Sequence, residues 1–281
     1  MRLVRNTARA ATSLALFAAV GCSADNVTSP IDVTSTRAPL LVSNKAASTI
    51  ASDESRAVVV STSPTRATLS EPRYAREQVL GFQNGTPTKQ CLGEGESLGA
   101  WNLRFSGYGC TQIASDVGGA SLSMQPAAAT GNSETHAPLL LGPQYGDRFL
   151  MTARFETVQQ LRTNGKPNAW EVAWVLWQYQ DDEHFYYFIP KPNGWELGKR
   201  DPSYAGGQRF LATGSDQKFP VGHLYNVQIA HRGNAITVTV DGIVLASIID
   251  TEHPYVSGRV ALYSEDAEIK VHQVSVRTGA F

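Results

Sequence analysis

The chain has 281 residues, with 24 Lys and Arg against 25 Asp and Glu, a formal net charge of -1 and 17% charged residues. At a pI of about 6.6 it has no basic field for holding phosphates, which excludes nucleic acid from the expected partners. Hydrophobic residues at 42% and aromatics at 9% suffice for a sizeable core. A charged fraction below the usual ~25% fits an exported β protein better than a helical cytosolic one.

The N-terminus reads MRLVRNTARAATSLALFAAVGCS, a basic start at Arg2, Arg5 and Arg9 followed by an apolar run over residues 10–20. That run is too short for a permanent membrane span and reads as a secretory signal over residues 1–21. It ends in AVGC, which resembles the lipobox of bacterial lipoproteins, with Ala19 where Leu is usual. The resemblance implies diacylation of the Cys22 thiol, an anchor that needs no transmembrane helix. Ser23 in place of Asp implies, in the same pattern, the outer membrane, with the protein facing the periplasm or the cell surface. A plain signal cleaved near Cys22 is the alternative. Residues 22–73 contain no aromatic side chain, so they cannot offset their ordering entropy and read as a flexible linker reaching roughly 40 Å. The folded domain is expected over residues 74–281.

With Cys22 set apart, Cys91 and Cys110 form an even pair in an oxidising compartment, and a disulfide is the economical reading. Closing about twenty residues, it would contribute roughly 3 kcal/mol in the chain-entropy model. Strand-like runs then follow at 101–105, 121–124, 138–141, 149–157, 210–213, 224–231, 235–240, 243–249, 259–263 and 268–276, with the aromatic-rich stretch 170–208 between them. No long helical periodicity interrupts them, which indicates an all-β, two-sheet antiparallel sandwich. Asp241-Gly242 marks a two-residue hairpin.

The stretch 170–208, WEVAWVLWQYQDDEHFYYFIPKPNGWELGKRDPSYAGGQ, holds four of the five tryptophans. It predicts a meander of about three strands, turning at Asp181-Asp182-Glu183 and at Asn193-Gly194. Because side chains alternate across a strand, a three-residue first turn places Val172, Trp174, Leu176, Tyr186, Phe188, Trp195 and Leu197 on the core face. Glu171, Trp177, Tyr179, Phe185, Tyr187, Glu196, Gly198 and Arg200 then share the opposite face. A turn one residue longer reverses the first strand relative to the others. Rings mixed with charges suit a sugar, whose C–H faces stack while its hydroxyls meet carboxylate and guanidinium. Gly198 would leave room for a sugar ring. Trp177, Tyr179, Tyr187, Lys199, Arg200 and Asp201 are the expected ligand contacts.

The run VGHLYNVQIAHRGNAITVTVDGIVLASIIDTEHPYVSGRVALYSEDAEIKVHQVSV, residues 221–276, resembles the last third of a concanavalin A-like jelly roll, as in laminin-G-like modules and the keto-disaccharide hydrolase family. A G-x-x-Y-x-V strand precedes a V-x-V-D-G hairpin, and G-R-V-x-L-Y and V-x-V strands close the sheets. The resemblance implies the fold and little of the activity, because this fold hosts lectins, hydrolases, lyases and adhesion modules.

Retaining glycosidases of this fold carry E-x-D-x-E on one strand. Here only Glu171 of Glu171-Val172-Ala173-Trp174-Val175 remains. The Q-x-H and Y-F-K-x-G-x-Y motifs of alginate-lyase-type jelly rolls are missing. Glu171 and Glu196, as acid and base from neighbouring strands, and His184 beside Asp182 and Glu183, as a proton-abstracting base, are the catalytic candidates; solvated surface charges are the plainer reading of all three. The other histidines, His136, His223, His231, His253 and His272, lack zinc-ligand spacing. Calcium is the better metal candidate, with Asp147, Glu265 and Asp266 as loop ligands; plain soluble turns are the alternative reading of these acidic residues. The expectation is thus a lipid-anchored, carbohydrate-binding β-sandwich. A glycan-processing hydrolase or lyase and a structural or adhesion module are the alternatives.

Overall fold

A computed structural model describes residues 76–82, 86–88, 90–116, 119–131 and 133–279. The expected signal peptide, Cys22 and the linker lie outside the described residues. In chain order the strands are β1 (Arg76–Val79), β2 (Ser97–Leu98), β3 (Trp101–Ser106), β4 (Cys110–Asp116), β5 (Gly119–Gln125), β6 (Pro138–Tyr145), β7 (Arg148–Gln160) and β8 (Ala173–Asp181). They continue as β9 (His184–Lys191), β10 (Gly194–Arg200), β11 (Gln208–Gly214), β12 (Leu224–Arg232), β13 (Ala235–Val240), β14 (Ile243–Ile249), β15 (Gly258–Ser264) and β16 (Ala267–Thr278).

One sheet has the order β14-β13-β12-β7-β16-β5-β4, with β1 also pairing β16, and the other has β11-β10-β9-β8-β15-β6-β3-β2. β4, CTQIASD, was not legible in the sequence, because its polar composition carries no strand pattern. The other strands of six or more residues each overlap a run that was legible there. The disulfide is present, joining Cys91 to Cys110 at the start of β4.

Between the sheets, Phe149, Met151 and Phe155 of β7 and Ile229 of β12 pack against Val175 and Trp177 of β8 and Phe188 of β9. A second apolar cluster covers the outer face of the β8-containing sheet, where Trp174, Leu176, Phe185, Tyr187, Ile189 and Tyr263 are buried. Strands buried on both faces lose the in-out alternation that a sequence reader uses. This explains why β8 and β9 are almost continuously apolar.

The turns depart from the expected ones in two places. Asp181 pairs with His184, leaving Asp182-Glu183 as a two-residue turn, and the pairing slips between Trp177 and Asp181. Gln178 sits at φ +49 in that bulge. An irregularity of this kind resets which face each side chain takes. At the next hairpin Gly194 pairs with Lys191, so Pro192-Asn193 is the turn and Gly194 opens the strand. A Cβ at Gly194 would lie 2.1 Å from the Gly214 carbonyl oxygen, a close approach only glycine permits. Asp241-Gly242 is a turn as expected, with φ of +49 and +85.

Candidate functional site

The faces of β9 and β10 are as the sequence predicts, with Tyr186, Phe188, Trp195 and Leu197 in the inter-sheet core. β8 is reversed, because the bulge at Gln178 changes its parity. Trp174 and Leu176 point outward, while Trp177 is fully buried between the sheets. Trp177 stacks on Tyr186 with centroids 5.6 Å apart, and its Nε1 donates to His231 Nδ1 at 3.2 Å. It therefore lies on the opposite side of the sheet from Arg200 and contacts no external ligand.

Lys199 and Asp201 are corrected likewise. Lys199 is fully buried, and its Nζ donates to Asp250 Oδ2 at 2.9 Å and to the carbonyls of Glu252 and His253. All three contacts tie the 250–253 segment to β10. Asp201 accepts from the amide and hydroxyl of Ser203 in a local turn.

The remaining expected contacts do reach the outer face. Tyr187 lies over Gly198, where a Cβ would come within 2.2 Å of its hydroxyl, so the space expected for a sugar ring holds this ring instead. Its hydroxyl accepts from Gln208 Nε2 at 2.6 Å. Tyr179 stacks on Phe185 with centroids 5.8 Å apart and donates to Asp182, which also binds Arg104 Nη2 at 3.2 Å. Arg200 pairs with Glu183 at 2.8 Å. The ring faces of this row are themselves enclosed: Trp174, Tyr179, Phe185, Tyr187 and Tyr263 are each 5% exposed or less.

The row ends in a polar cluster built from segments far apart in sequence. Trp174 meets Tyr187 at 5.3 Å and Tyr263, edge-on, at 5.2 Å. The Tyr263 hydroxyl donates to Glu265 Oε1 at 2.8 Å. Arg162 links two further carboxylates, its Nε to Glu171 Oε1 at 2.7 Å and its Nη2 to Asp266 Oδ2 at 2.9 Å. Asn168 Nδ2 shares Glu171 Oε1 at 2.7 Å, and the His136 amide donates to Asp266 Oδ1 at 2.8 Å. Glu171 Oε2 is buried without a hydrogen-bond partner. Burial, then the negative neighbours Asp266 and Glu171, push Glu265 up to about 8, so its carboxyl holds a proton at neutral pH. Burial also raises Asp266, although the His136 amide and Arg162 oppose it.

The three catalytic candidates do not converge. Glu171 belongs to this cluster. Glu196 lies two strands away on β10 and is paired with Lys191. His184 lies at the opposite end of β8 and β9, held by Asp181 at 2.8 Å. Across a nine-residue strand that separation is roughly 25 Å. The expected calcium ligands do not converge either. Asp147 lies in the turn joining the far ends of β6 and β7, while Glu265 and Asp266 sit beside the near ends. Arg162 already stands between two of the carboxylates, and among the described residues no group of three His, Cys, Asp or Glu is placed to hold a metal ion.

Arg162 and Tyr263 are the site residues that sequence reasoning missed. Tyr263 lay in a recognised strand whose outward face could not be read, and Arg162, in the loop after β7, gave no signal at all.

Two eight-stranded antiparallel sheets in this order define a jelly-roll sandwich of the concanavalin A-like class. No family model matches the chain, and no curated protein matches it. Solved structures similar to it include the carbohydrate-binding module CBM66 from Bacillus subtilis, at 12% identity over 64% of this chain and 96% of that one, with a TM-score of 0.46. A protein of unknown function with a galectin-like fold, also from Bacillus subtilis, is similar at 12% identity over 69% and 98%, with a TM-score of 0.48. The exoplasmic/lumenal domain of VIP36 in its Ca2+/Man-bound form is similar at 14% identity over 69% and 89%, with a TM-score of 0.46.

Proposed function

We propose that the domain binds carbohydrate at the end of its outer face, where Trp170, Trp174 and Tyr263 adjoin the Arg162–Glu171–Glu265–Asp266 cluster. The observation that carries the reading is Trp170, a half-buried aromatic residue next to Glu171 of the Arg162 cluster. Rings next to hydrogen-bonding charges meet the two chemistries of a sugar, its apolar C–H face and its hydroxyl edge.

The test is a glycan array probed with the purified full chain. Retention of at least one glycan is expected, weakened by about tenfold or more in Trp170→Ala, a half-buried position, where lost ring contact converts to that factor. If no glycan is retained, the reading fails, and a structural or adhesion module, which the enclosed rings favour, takes its place. A second reading, a glycan-processing enzyme, is favoured by one arrangement: Glu265, which burial pushes up to about 8, sits beside Asp266, one of the two carboxyl partners of Arg162. Release of a shorter saccharide by the wild type and its loss in Glu265→Gln would support it; retention without turnover would remove it.

A further inference from the structure

Tyr108 is a large, exposed aromatic residue on left-handed backbone. It sits in Gly107-Tyr108-Gly109, the link that carries the chain from β3 in one sheet to β4 in the other. Both flanking glycines are pressed against neighbouring chain: a Cβ at Gly107 would lie 2.9 Å from the Pro138 nitrogen, and one at Gly109 would lie 2.0 Å from the Gln125 carbonyl oxygen. Tyr108 itself adopts φ +59, a left-handed conformation that costs an L-residue free energy and that Gly or Asn takes more readily. A third glycine or an asparagine would fit this backbone better. Yet the position holds a large ring, and the residue remains 64% exposed.

The ring is also positioned. It meets the His136 ring edge-on, with centroids 5.4 Å apart and planes at 75°. His136 is fixed in turn, its Nδ1 on the Ala127 carbonyl at 3.0 Å and its amide on Asp266 Oδ1. The link is further held by Ser106 Oγ, which accepts from the Tyr108 amide at 3.2 Å, and by the disulfide at Cys110. Tyr108 therefore stands one residue away from Asp266 and the Arg162 cluster. Phe105, three residues before it, and Ala137, which adjoins Gly107 in space, pack against the aromatic row of the outer face. A single exposed apolar side chain is ordinary. A ring held on strained backbone against the residue whose amide binds Asp266 is less ordinary, since strain concentrates where function over-determines the structure.

We propose that Tyr108 is a stacking platform for a sugar ring of the bound glycan, receiving its apolar C–H face while the hydroxyl edge turns toward the Arg162 cluster. The inference rests on the carbohydrate reading above and adds a residue and a direction of approach to it. A ring already fixed loses little freedom on binding, so its contact is not offset by ordering entropy.

The decisive variants separate binding from folding. In Tyr108→Gly and Tyr108→Asn the backbone strain is relieved, so each is expected to melt at or above the wild-type temperature while binding an array-positive glycan about tenfold more weakly. Tyr108→Phe and Tyr108→Trp are expected to stay within about twofold of wild-type affinity, because both keep a ring face. Unchanged affinity in Tyr108→Gly would overturn this inference and leave the carbohydrate reading standing. Loss of affinity accompanied by a lower melting temperature in both Gly and Asn variants would also overturn it, assigning the ring to holding the turn. Absence of glycan retention by the wild type would end both.

Discussion

Trp177 exposes no surface, stacks on Tyr186 and donates an indole N–H hydrogen bond to His231, so shortening it empties the space between the sheets. Trp177→Ala is expected to cost ~3–5 kcal/mol in urea unfolding, the range for a large aromatic removed from a core. A loss below ~1 kcal/mol would show that the ring is not packed as described. Lys199 teaches the same lesson with a charge. Its sequence neighbours Arg200 and Asp201 suggest a surface group, but alternation along β10 turns it inward to the Asp250 carboxylate. Once enclosed, it must keep that partner, because an unpaired buried charge is far costlier than a paired one. Neither role is visible in residue type, since burial depends on the parity of the strand and not on the chemistry of the side chain.

The β8–β9 hairpin shows how one local irregularity redistributes an entire element. The bulge at Gln178 lets Gly258 of β15 approach so closely that an added Cβ would lie 2.3 to 2.6 Å from the Gln178 backbone. Gly258→Ala is therefore expected to destabilise by ~1–3 kcal/mol, the usual cost of overpacking, measured as a lowered urea midpoint at unchanged slope. A neutral result would mean that β15 can move aside and that the bulge does not determine the face of β8. Asp241-Gly242 was legible because two positive φ values at adjacent residues narrow the choice of side chains severely. The β8 bulge was not legible, since Gln178 carries no such mark. The face that holds Trp174 in place of Trp177 followed from it.

At the scale of the molecule, two buried groups set opposing pH limits. Burial lowers His231 from 6.5 to about 4, so its contribution is present above 6.5 and is lost as pH falls toward 4. Glu265 is raised from 4.5 to about 8, so its contribution is present below 4.5 and is lost as pH rises through 8. Between about 4.5 and 6.5 the two slopes oppose one another. Thermal melts across the pH range are expected to show a plateau there and a decline on each side. Glu265→Gln should flatten the decline between 6.5 and 8; an undiminished decline in that variant would assign it to other groups.

Local pattern alone determined that this chain makes many short antiparallel strands, turns at Asp241-Gly242 and bridges Cys91 to Cys110. Each of those follows from side-chain chemistry within a few residues or from simple counting. Only the tertiary structure decided which rings face outward and which charges meet. A period of two leaves the choice of face open until register is known. Arg162, Glu171, Glu265 and Asp266 come together because β7, β8 and the β15–β16 turn end at the same corner of the sandwich, a coincidence of topology that no local pattern of residues records.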